Sequence, residues 1–198
     1  MATSTPLGLR ERKKIKLRRS VQREALRLFA EQGYDATTVE QIADAADIST
    51  TTFYRYFPTK EDTVLHDEYD RIVEDVVAGS DPDDSLVQVV RQVFAALAAA
   101  LEEERESALA RLRLRESVPA LKARTGAEGQ QNRDLYVALF ARRTGRSADD
   151  YRLRVTAAAL TAAQLEAVQA WGRADGEDSL PRLMDDAVSV LEPLLDAL

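Results

Sequence analysis

Residues 18–65 read RRSVQREALRLFAEQGYDATTVEQIADAADISTTTFYRYFPTKEDTVL, and this stretch decides the fold of the N-terminal part of the chain. It contains two short helical patterns, Thr38 to Ala45 and Ser49 to Tyr56, joined by the tight turn Ala46-Asp47-Ile48. This arrangement is typical of a helix-turn-helix, in which the second helix enters the major groove of DNA. The stretch therefore predicts a DNA-binding unit.

Capping signals divide this stretch into separate helices. Gly33 predicts a left-handed C-cap for the first helix. Thr37 with Glu40 three residues later predicts a capping box, and Ser49 predicts the N-cap of the third helix. The first helix presents an apolar stripe with the spacing of one helical face, made of Leu17, Val21, Ala25, Leu28 and Phe29.

Helical spacing continues through the rest of the chain. Thr59 and Asp62 predict the start of a fourth helix that ends near Gly79. Strand alternation is missing, so we predict an all-α chain of about nine helices. A three-helix DNA-binding unit in a domain of residues 1–62 would precede a helical bundle in a ligand-binding and dimerisation domain of residues 63–198. The remaining helices are predicted near 85–103, 105–117, 130–144, 148–172 and 179–198, with a break or kink at Pro119 and a kink at Pro193.

Charge is distributed unevenly along the 198 residues. The whole chain has a net charge of −7, which is unlike a typical nucleic-acid binder. Residues 1–60, however, carry 11 Lys and Arg against 7 Asp and Glu, a net charge of +4, while the remainder carries −11. This asymmetry indicates a basic contact module joined to an acidic body.

Several classes of site and location are disfavoured by composition. The chain has no cysteine, which excludes disulfides, thiolate zinc sites and cysteine nucleophiles. Neither a metal cage nor a cofactor motif is evident. The longest apolar run, Val93 to Leu101, is far shorter than the roughly 20 residues that cross a bilayer, and Met1 to Leu9 lacks a signal-peptide pattern. We therefore expect a cytoplasmic protein with no membrane partner.

The start of the third helix is rich in hydroxyl groups. Thr50, Thr51 and Thr52 are short enough to approach base edges, and their methyl groups can contact thymine methyls. A threonine triplet alone is typical of a solvated helix start, and the flanking motif is what favours DNA contact. Phosphates are expected to bind donors from side chains and helix starts, namely Tyr54, Tyr56 and Lys60 together with the amides near Thr38 and Thr59.

The same stretch resembles the TetR (tetracycline repressor) family of transcriptional regulators. The resemblance covers about a quarter of the chain and rests on spaced positions of different chemistry: Phe29-Ala30-Glu31-Gln32-Gly33-Tyr34, Thr37-Thr38-Val39, Ile42-Ala43, Phe53-Tyr54-Arg55-Tyr56-Phe57 and Thr59-Lys60-Glu61. It implies an all-helical homodimer with an N-terminal DNA-binding domain, whose repression is relieved by a small effector. The positions that match the family's DNA contacts are Thr38, Thr50, Thr51, Thr52, Tyr54, Tyr56 and Lys60.

Two positions depart from the family pattern. Asp47 stands where glycine is common, and aspartate tolerates the left-handed conformation better than most residues. Thr51 also replaces a common small glycine, so the operator sequence cannot be transferred from relatives. Other positions of the motif are expected to pack inside the three-helix unit without touching DNA: Ile42, Ala43, Phe53 and Phe57.

The run from Arg10 to Arg19 has seven basic residues and one acidic residue. By itself such a run is typical of a solvated or frayed helix start. Just before a helix-turn-helix, it can also be an arm that lies along phosphates or in the minor groove. The sequence leaves both interpretations open.

The last helix carries an apolar seam that favours a partner helix. Together with the Ala-rich stretch Ala157 to Ala170, it predicts a four-helix interface between two subunits, with intrachain packing as the alternative. The seam steps by 4, 3, 4, 3 and 4 residues through Leu180, Met184, Ala187, Leu191, Leu194 and Leu198.

An effector pocket among the middle helices is a further expectation, although its candidate residues could equally fill the core: Phe94, Leu97, Leu101, Leu112, Tyr136, Phe140 and Trp171. Arg111, Arg113 and Arg115 alternate with leucines and could simply pair with the acidic run Glu102 to Glu104 across the surface. The segment Arg105 to Arg124 weakly resembles family members that sense acyl-coenzyme A esters. An arginine cluster beside an apolar tunnel would suit the phosphates and the acyl chain of such an ester.

Other functional classes fit the sequence less well than a ligand-released repressor. An α-helical hydrolase is disfavoured for two reasons. His66 is the one histidine and lies among charged residues, and the sequence contains no Gly-x-Ser-x-Gly motif or phosphate loop. A transcriptional activator and an interaction module without effector remain alternatives. The family resemblance implies that effector binding shifts the fourth helix and thereby the spacing of the two DNA-reading heads.

Overall fold

The computed structural model describes residues 8–65 and 69–198, with side chains at these positions except 11, 12, 70 and 125–128. The described residues form ten α-helices and no strand, which confirms the all-α prediction. The predicted fourth helix corresponds to α4 and α5, on either side of residues 66–68. The helices are α1 (Leu9–Gln32), α2 (Val39–Ala45), α3 (Thr50–Tyr56), α4 (Asp62–Leu65), α5 (Tyr69–Gly79), α6 (Leu86–Glu103), α7 (Arg105–Ser117), α8 (Pro119–Thr144), α9 (Tyr151–Arg173) and α10 (Leu180–Asp196).

The start of α8 differs most from the prediction. The expected break at Pro119 is present, since α7 ends at Ser117. However, α8 begins at Pro119 itself, well before the predicted start near Gln130. Proline suits the first position of a helix because the missing N–H has no intrahelical partner there. Glycine at position 129 lowers the helical expectation for this segment, and the helix forms through it regardless.

The chain divides into two compact units. The N-terminal unit contains residues 8–65 and also Ala110–Ala123, from the second part of α7 and the first turns of α8. Its core confirms the packing role predicted for Ile42, Ala43, Phe53 and Phe57, which are fully buried. The other members of this core are Val21, Ala25, Leu26, Phe29, Tyr34, Val64, Leu65 and Leu121.

The C-terminal unit contains residues 69–109 and Arg124–Leu198. Within it, α6 packs against α5 and α10, and α10 also packs against α9. Arg91 on α6 joins α10 through Asp185, Ser189 and Glu192, with the Arg91 Nη2 atom 3.0 Å from a Glu192 oxygen. The central helix α6 buries side chains along most of its length: Val87, Val89, Val90, Val93, Phe94, Leu97, Ala98 and Leu101.

Among the described residues, no helix combines the length and the apolar character that a membrane crossing requires.

Gly176 lies in the turn after α9 with a φ of 75°, and a Cβ built there would lie 2.9 Å from the Arg105 side chain. Glycine is therefore favoured at this position, because any other residue would strain the backbone and displace Arg105.

Candidate nucleic-acid interface

Helix α2 is capped by Thr38. The Thr38 hydroxyl accepts from the backbone N–H of Gln41 at 3.3 Å, and the Gln41 side chain accepts from the N–H of Thr38 at 2.9 Å. The predicted capping box of Thr37 and Glu40 is therefore wrong by one residue. Thr37 is buried, and its hydroxyl donates to the carbonyl of Gly33 at 2.8 Å. Thr37 therefore closes the end of α1 and does not start α2. Gly33 has a φ of 89°, which confirms the need for glycine at the C-cap.

The turn between α2 and α3 is held by Asp47. Its φ of 56° confirms that aspartate occupies the left-handed conformation here. The N–H of Ile48 donates to the carbonyl of Ala43 at 3.0 Å, and that of Asp47 donates to Asp44 at 3.1 Å. These bonds satisfy the last carbonyls of α2 and fix the direction in which α3 leaves the turn.

Helix α3 has a buried side and an exposed hydroxyl-rich side. Ser49 caps it by accepting from the N–H of Thr52 at 3.1 Å, as the sequence predicted, and Phe53 anchors its buried side. Thr51 and Tyr54 lie on the exposed side, and Tyr54 is 51% exposed. The buried side fixes the helix, and the opposite side presents short hydroxyl side chains and one phenol to solvent. This arrangement suits entry of α3 into a DNA groove.

Arginines flank the last turn of α3. The guanidinium carbon of Arg55 lies 5.1 Å from the centre of the Tyr56 ring, and that of Arg18 lies 5.9 Å from it. Both distances are within cation–π range. The motif predicted a phosphate contact for Tyr56, and the run Arg10 to Arg19, which includes Arg18, left a phosphate-binding arm open. No contact was predicted for Arg55, although Arg55 stands inside the quoted motif. The structure thus adds two positive charges beside Tyr56.

Lys60 has a structural role that the sequence did not indicate. Its Nζ atom donates to the carbonyl oxygens of Tyr34 at 2.8 Å and Thr37 at 3.0 Å, and it lies 4.2 Å from the centre of the Tyr34 ring. An ammonium group has three donors, so these two bonds leave one for a phosphate. Lys60 therefore ties the α1–α2 connection to the region before α4, and its phosphate contact stays a prediction.

Two acidic side chains stabilise the same region. The Asp62 carboxylate accepts from the N–H and the hydroxyl of Thr59, both at 2.7 Å, which confirms this pair as the start signal of α4. Glu61 accepts from the Tyr34 hydroxyl at 2.9 Å. Burial acts to raise the pKa of Glu61, but hydrogen bonds from its own N–H, Tyr34 and Thr59 outweigh burial and lower that pKa. Glu61 is therefore ionised at neutral pH.

Arg115 joins α7 to the end of α4 inside the N-terminal unit. Its Nη2 atom donates to the carbonyl oxygens of Leu65 at 3.1 Å and Val64 at 3.4 Å. The last carbonyls of a helix have no intrahelical partner, so a guanidinium there is stabilising. Alternation of arginine and leucine in the sequence gave no sign of this contact.

The predicted pocket residues are mostly buried in the C-terminal unit. Phe94, Tyr136 and Phe140 form an aromatic row, with ring centres 6.4 and 6.3 Å apart. The Tyr136 hydroxyl donates to Gln164, and burial raises the pKa of this phenol. Trp171 is fully buried, and its indole Nε1 atom has no hydrogen-bond partner among the residues that the structure describes.

The other candidates divide between the two units. Leu97 and Leu101 are buried in α6, whereas Leu112 is half-buried and belongs to the N-terminal unit. His66 lies outside the described residues. A ligand-lining role for the pocket candidates stays a prediction.

The apolar seam predicted for α10 divides into two faces. Leu180 and Met184 are fully buried within the C-terminal unit, so for these two residues the intrachain alternative is right and the predicted contact with a second subunit is wrong. A 4-and-3 spacing describes two neighbouring stripes of one helix equally well, and only the packing decides which stripe turns inward. The outward stripe of α10 consists of Leu183, Ala187, Val190 and Leu194, with Val190 77% exposed.

Helix α9 carries a matching outward stripe. Leu153, Leu160 and Trp171 face the core of the C-terminal unit. Apolar side chains occupy the opposite side, where a solvated helix would carry polar residues. They follow steps of 4, 3, 4 and 3 residues through Tyr151, Val155, Ala158, Ala162 and Leu165, all exposed.

Two family models match this chain. The model described as bacterial regulatory proteins, tetR family, matches residues 23–66, which include the helix-turn-helix. The model described as MftR C-terminal domain matches residues 84–196, more than half of the chain. The two matches separate the DNA-binding motif from the larger helical region.

Individual relatives agree with these models. The HTH-type transcriptional regulator TcmR of Streptomyces glaucescens is 33% identical over 207 residues, which cover 98% of this chain and 92% of TcmR. Thermus thermophilus FadR, a TetR family transcriptional repressor solved with lauroyl-CoA, is 25% identical, with a TM-score of 0.59 and coverage of 88% and 93%. Bacillus subtilis FadR, solved with stearoyl-CoA, shares the fold at 18% identity, with a TM-score of 0.62 and coverage of 87% and 96%.

Proposed function

Because this chain belongs to the TetR family of bacterial regulatory proteins, we propose that it is a homodimeric repressor that a small effector releases from its operator. The family is one of DNA-binding transcriptional regulators and not of enzymes. The observation that carries the proposal is the exposed hydroxyl-rich start of α3, held in place by Ser49 and by buried Phe53. A bacterial regulator meets its operator in the cytoplasm, which is the proposed location.

The side chains of the proposed interface divide into those that read bases and those that bind the phosphate backbone. Thr50, Thr51 and Thr52 read base edges, and Thr38 presents the start of α2 to a phosphate. Tyr54, Tyr56 and Lys60 hold the backbone. The proposed DNA-binding domain comprises residues 1–62, and residues 63–198 bind the effector and dimerise.

Substitutions in α3 and at Lys60 should separate base reading from backbone binding. We expect Thr51→Ala, like Thr50→Ala, to change sequence preference, because each removes a hydroxyl and a methyl from the base-reading start. Tyr54→Phe and Lys60→Ala should weaken binding to every sequence and lower the salt slope by about one for each phosphate that is no longer bound. Gel shifts with the upstream DNA of its own gene, against a scrambled duplex of equal length, measure both effects.

Unchanged operator binding in all four variants would contradict these contacts. Lys60→Ala has a second effect, because the carbonyls of Tyr34 and Thr37 lose their ammonium donor. Lys60→Arg keeps the charge and serves as its control. Thermal melting of the variants shows how much of any decrease in affinity comes from reduced stability.

The outward stripes of α9 and α10 support dimerisation. Both stripes are apolar and spaced for helix packing, and together they give the two helices that each subunit contributes to a four-helix interface. The α9 stripe is exposed throughout, and the α10 stripe is exposed at Val190 and Leu194 and half-buried at Leu183 and Ala187. A two-fold dimer also matches two half-sites on DNA. The stripes exclude Leu180 and Met184, which the sequence had placed in the seam.

For the effector we propose an acyl-coenzyme A ester. The described interior of the C-terminal unit offers an aromatic row and an unpaired indole N–H at Trp171, which suit an apolar chain with a hydrogen-bond acceptor. Thermus thermophilus FadR, one of the similar structures, was solved with lauroyl-CoA.

Trp171 is the single tryptophan of the chain, so its fluorescence reports on this region alone. We expect lauroyl-CoA to shift Trp171 emission and to release the DNA in a gel shift, since a ligand acts only through a difference in affinity between two states. Free coenzyme A and an aromatic cation are the controls. Release by the aromatic cation, or none by lauroyl-CoA, would overturn the ester assignment while leaving DNA binding intact.

A further inference from the structure

The first turns of α1 extend beyond the core of the N-terminal unit. α1 begins at Leu9, whereas Val21 is the first buried residue among its described side chains. Residues 9–20 therefore precede the core as a helix about 18 Å long, at a rise of roughly 1.5 Å per residue. We call residues 9–20 the basic extension.

The basic extension concentrates positive charge. Downstream on the same helix, Arg27 pairs with Glu31 at 2.7 Å and with Glu24 at 3.0 Å, and Arg23 also reaches Glu24. The extension itself has Glu11 as its one acidic residue in the sequence. Its described basic side chains are Arg10, Lys13, Lys14, Lys16, Arg18 and Arg19.

The basic extension contacts the end of α3 at Arg18. Arg18 lies one turn before Val21, and its guanidinium carbon is 5.9 Å from the centre of the Tyr56 ring. Tyr56 is the last residue of α3, and its ring also lies 5.1 Å from the guanidinium carbon of Arg55. Arg18, near the C-terminal end of the basic extension, and Arg55 therefore place two positive charges beside the end of the proposed DNA-reading helix.

The exposed cations are distributed around the helix. Arg10, Lys13, Lys16 and Arg19 are exposed and follow one another at steps of three residues. Each step of three turns by about 300° at 3.6 residues per turn, so these four side chains wind halfway around the helix. Such a spread suits the diffuse negative charge of a phosphate backbone better than a row of base edges.

We propose that the basic extension is a second DNA-binding element, which contacts the phosphates that flank the bases read by α3. The inference rests on the proposed function of α3 and assigns the extension one ligand, the sugar-phosphate backbone of duplex DNA. Its contribution is independent of base sequence, because it comes from neutralised phosphates and released counterions.

Salt dependence of binding tests this element. The full-length protein is titrated on its own upstream duplex and on a scrambled duplex, between about 50 and 200 mM salt. We expect Lys13→Gln with Lys16→Gln to weaken binding to both duplexes about equally and to lower the salt slope by about two per protomer. The matched control, Arg23→Gln with Arg27→Gln, removes the same charge from the same helix, and its slope should stay that of the wild type.

The possible outcomes separate the two proposals. Equal slopes in the extension variant and the wild type, or equal reductions in both variants, would overturn the basic extension as a binding element. If Thr51→Ala still alters sequence preference in that case, the role of α3 stands. Hydroxyl-radical footprints should lose the flanking protection, and keep the central protection, in the extension variant. Circular dichroism confirms that each variant retains its helices.

Discussion

Val190→Asp is expected to convert the protein to a monomer and to lower its affinity for operator DNA at least about 100-fold, the scale by which linked binding exceeds single-site binding. Val190 is 77% exposed at the centre of the outward stripe of α10. In a two-fold interface the substitution occurs on both sides, so two carboxylates lose their hydration and face a dry contact.

The molecular mass in solution measures this effect, by light scattering after size exclusion, and gel shifts measure its consequence. Val190→Thr, which keeps the shape without a charge, should remain dimeric. Ala95→Glu places a new carboxylate on an exposed position of α6 and controls for charge alone. A Val190→Asp protein that stays dimeric and binds DNA normally would refute the α9–α10 interface.

Phe53→Ala is expected to destabilise the N-terminal unit by about 3–5 kcal/mol, the usual cost of removing a buried phenylalanine. The Phe53 ring is fully buried and lies 5.6 Å from the Phe57 ring, centre to centre. Native domains have unfolding free energies of roughly 5–15 kcal/mol, so the unit loses a large share of its stability. DNA binding should weaken because α3 is held less firmly in its orientation.

Chemical denaturation followed by circular dichroism measures the destabilisation. Trp171 belongs to the C-terminal unit, and therefore its fluorescence should keep a transition like that of the wild type. Phe53→Leu should cost roughly 1 kcal/mol, because it conserves most of the volume. Thr51→Ala, at an exposed position of the same helix, should change stability by less than about 0.5 kcal/mol. Native stability in Phe53→Ala would contradict the assigned core.

Local signals were sufficient for the helix-turn-helix. Ser49, Asp47 and the Thr59–Asp62 pair each act within a few residues, and each has the role that the sequence predicted. The error at Thr37 is instructive, because two adjacent threonines offered two possible caps. Tertiary packing decided between them, since Thr37 is needed to close the end of α1.

Contacts between distant segments could not be read in this way. Lys60 bonds to carbonyls more than 20 residues earlier, and Arg115 bonds to Leu65 from a segment 50 residues later. Every residue has a backbone carbonyl, so the residue types do not indicate which carbonyl accepts a hydrogen bond from a particular side chain. The inclusion of Ala110–Ala123 in the N-terminal unit was missed for the same reason.

The sequence by itself determined the helical class, the position of the helix-turn-helix and the concentration of positive charge before residue 60, because capping, periodicity and charge are local properties. The tertiary structure alone decided which stripe of α10 faces outward, where Lys60 and Arg115 donate, and that Arg18 of α1 lies beside Tyr56. These features depend on which helices meet, and their meeting is settled by the burial of apolar surface over the whole chain.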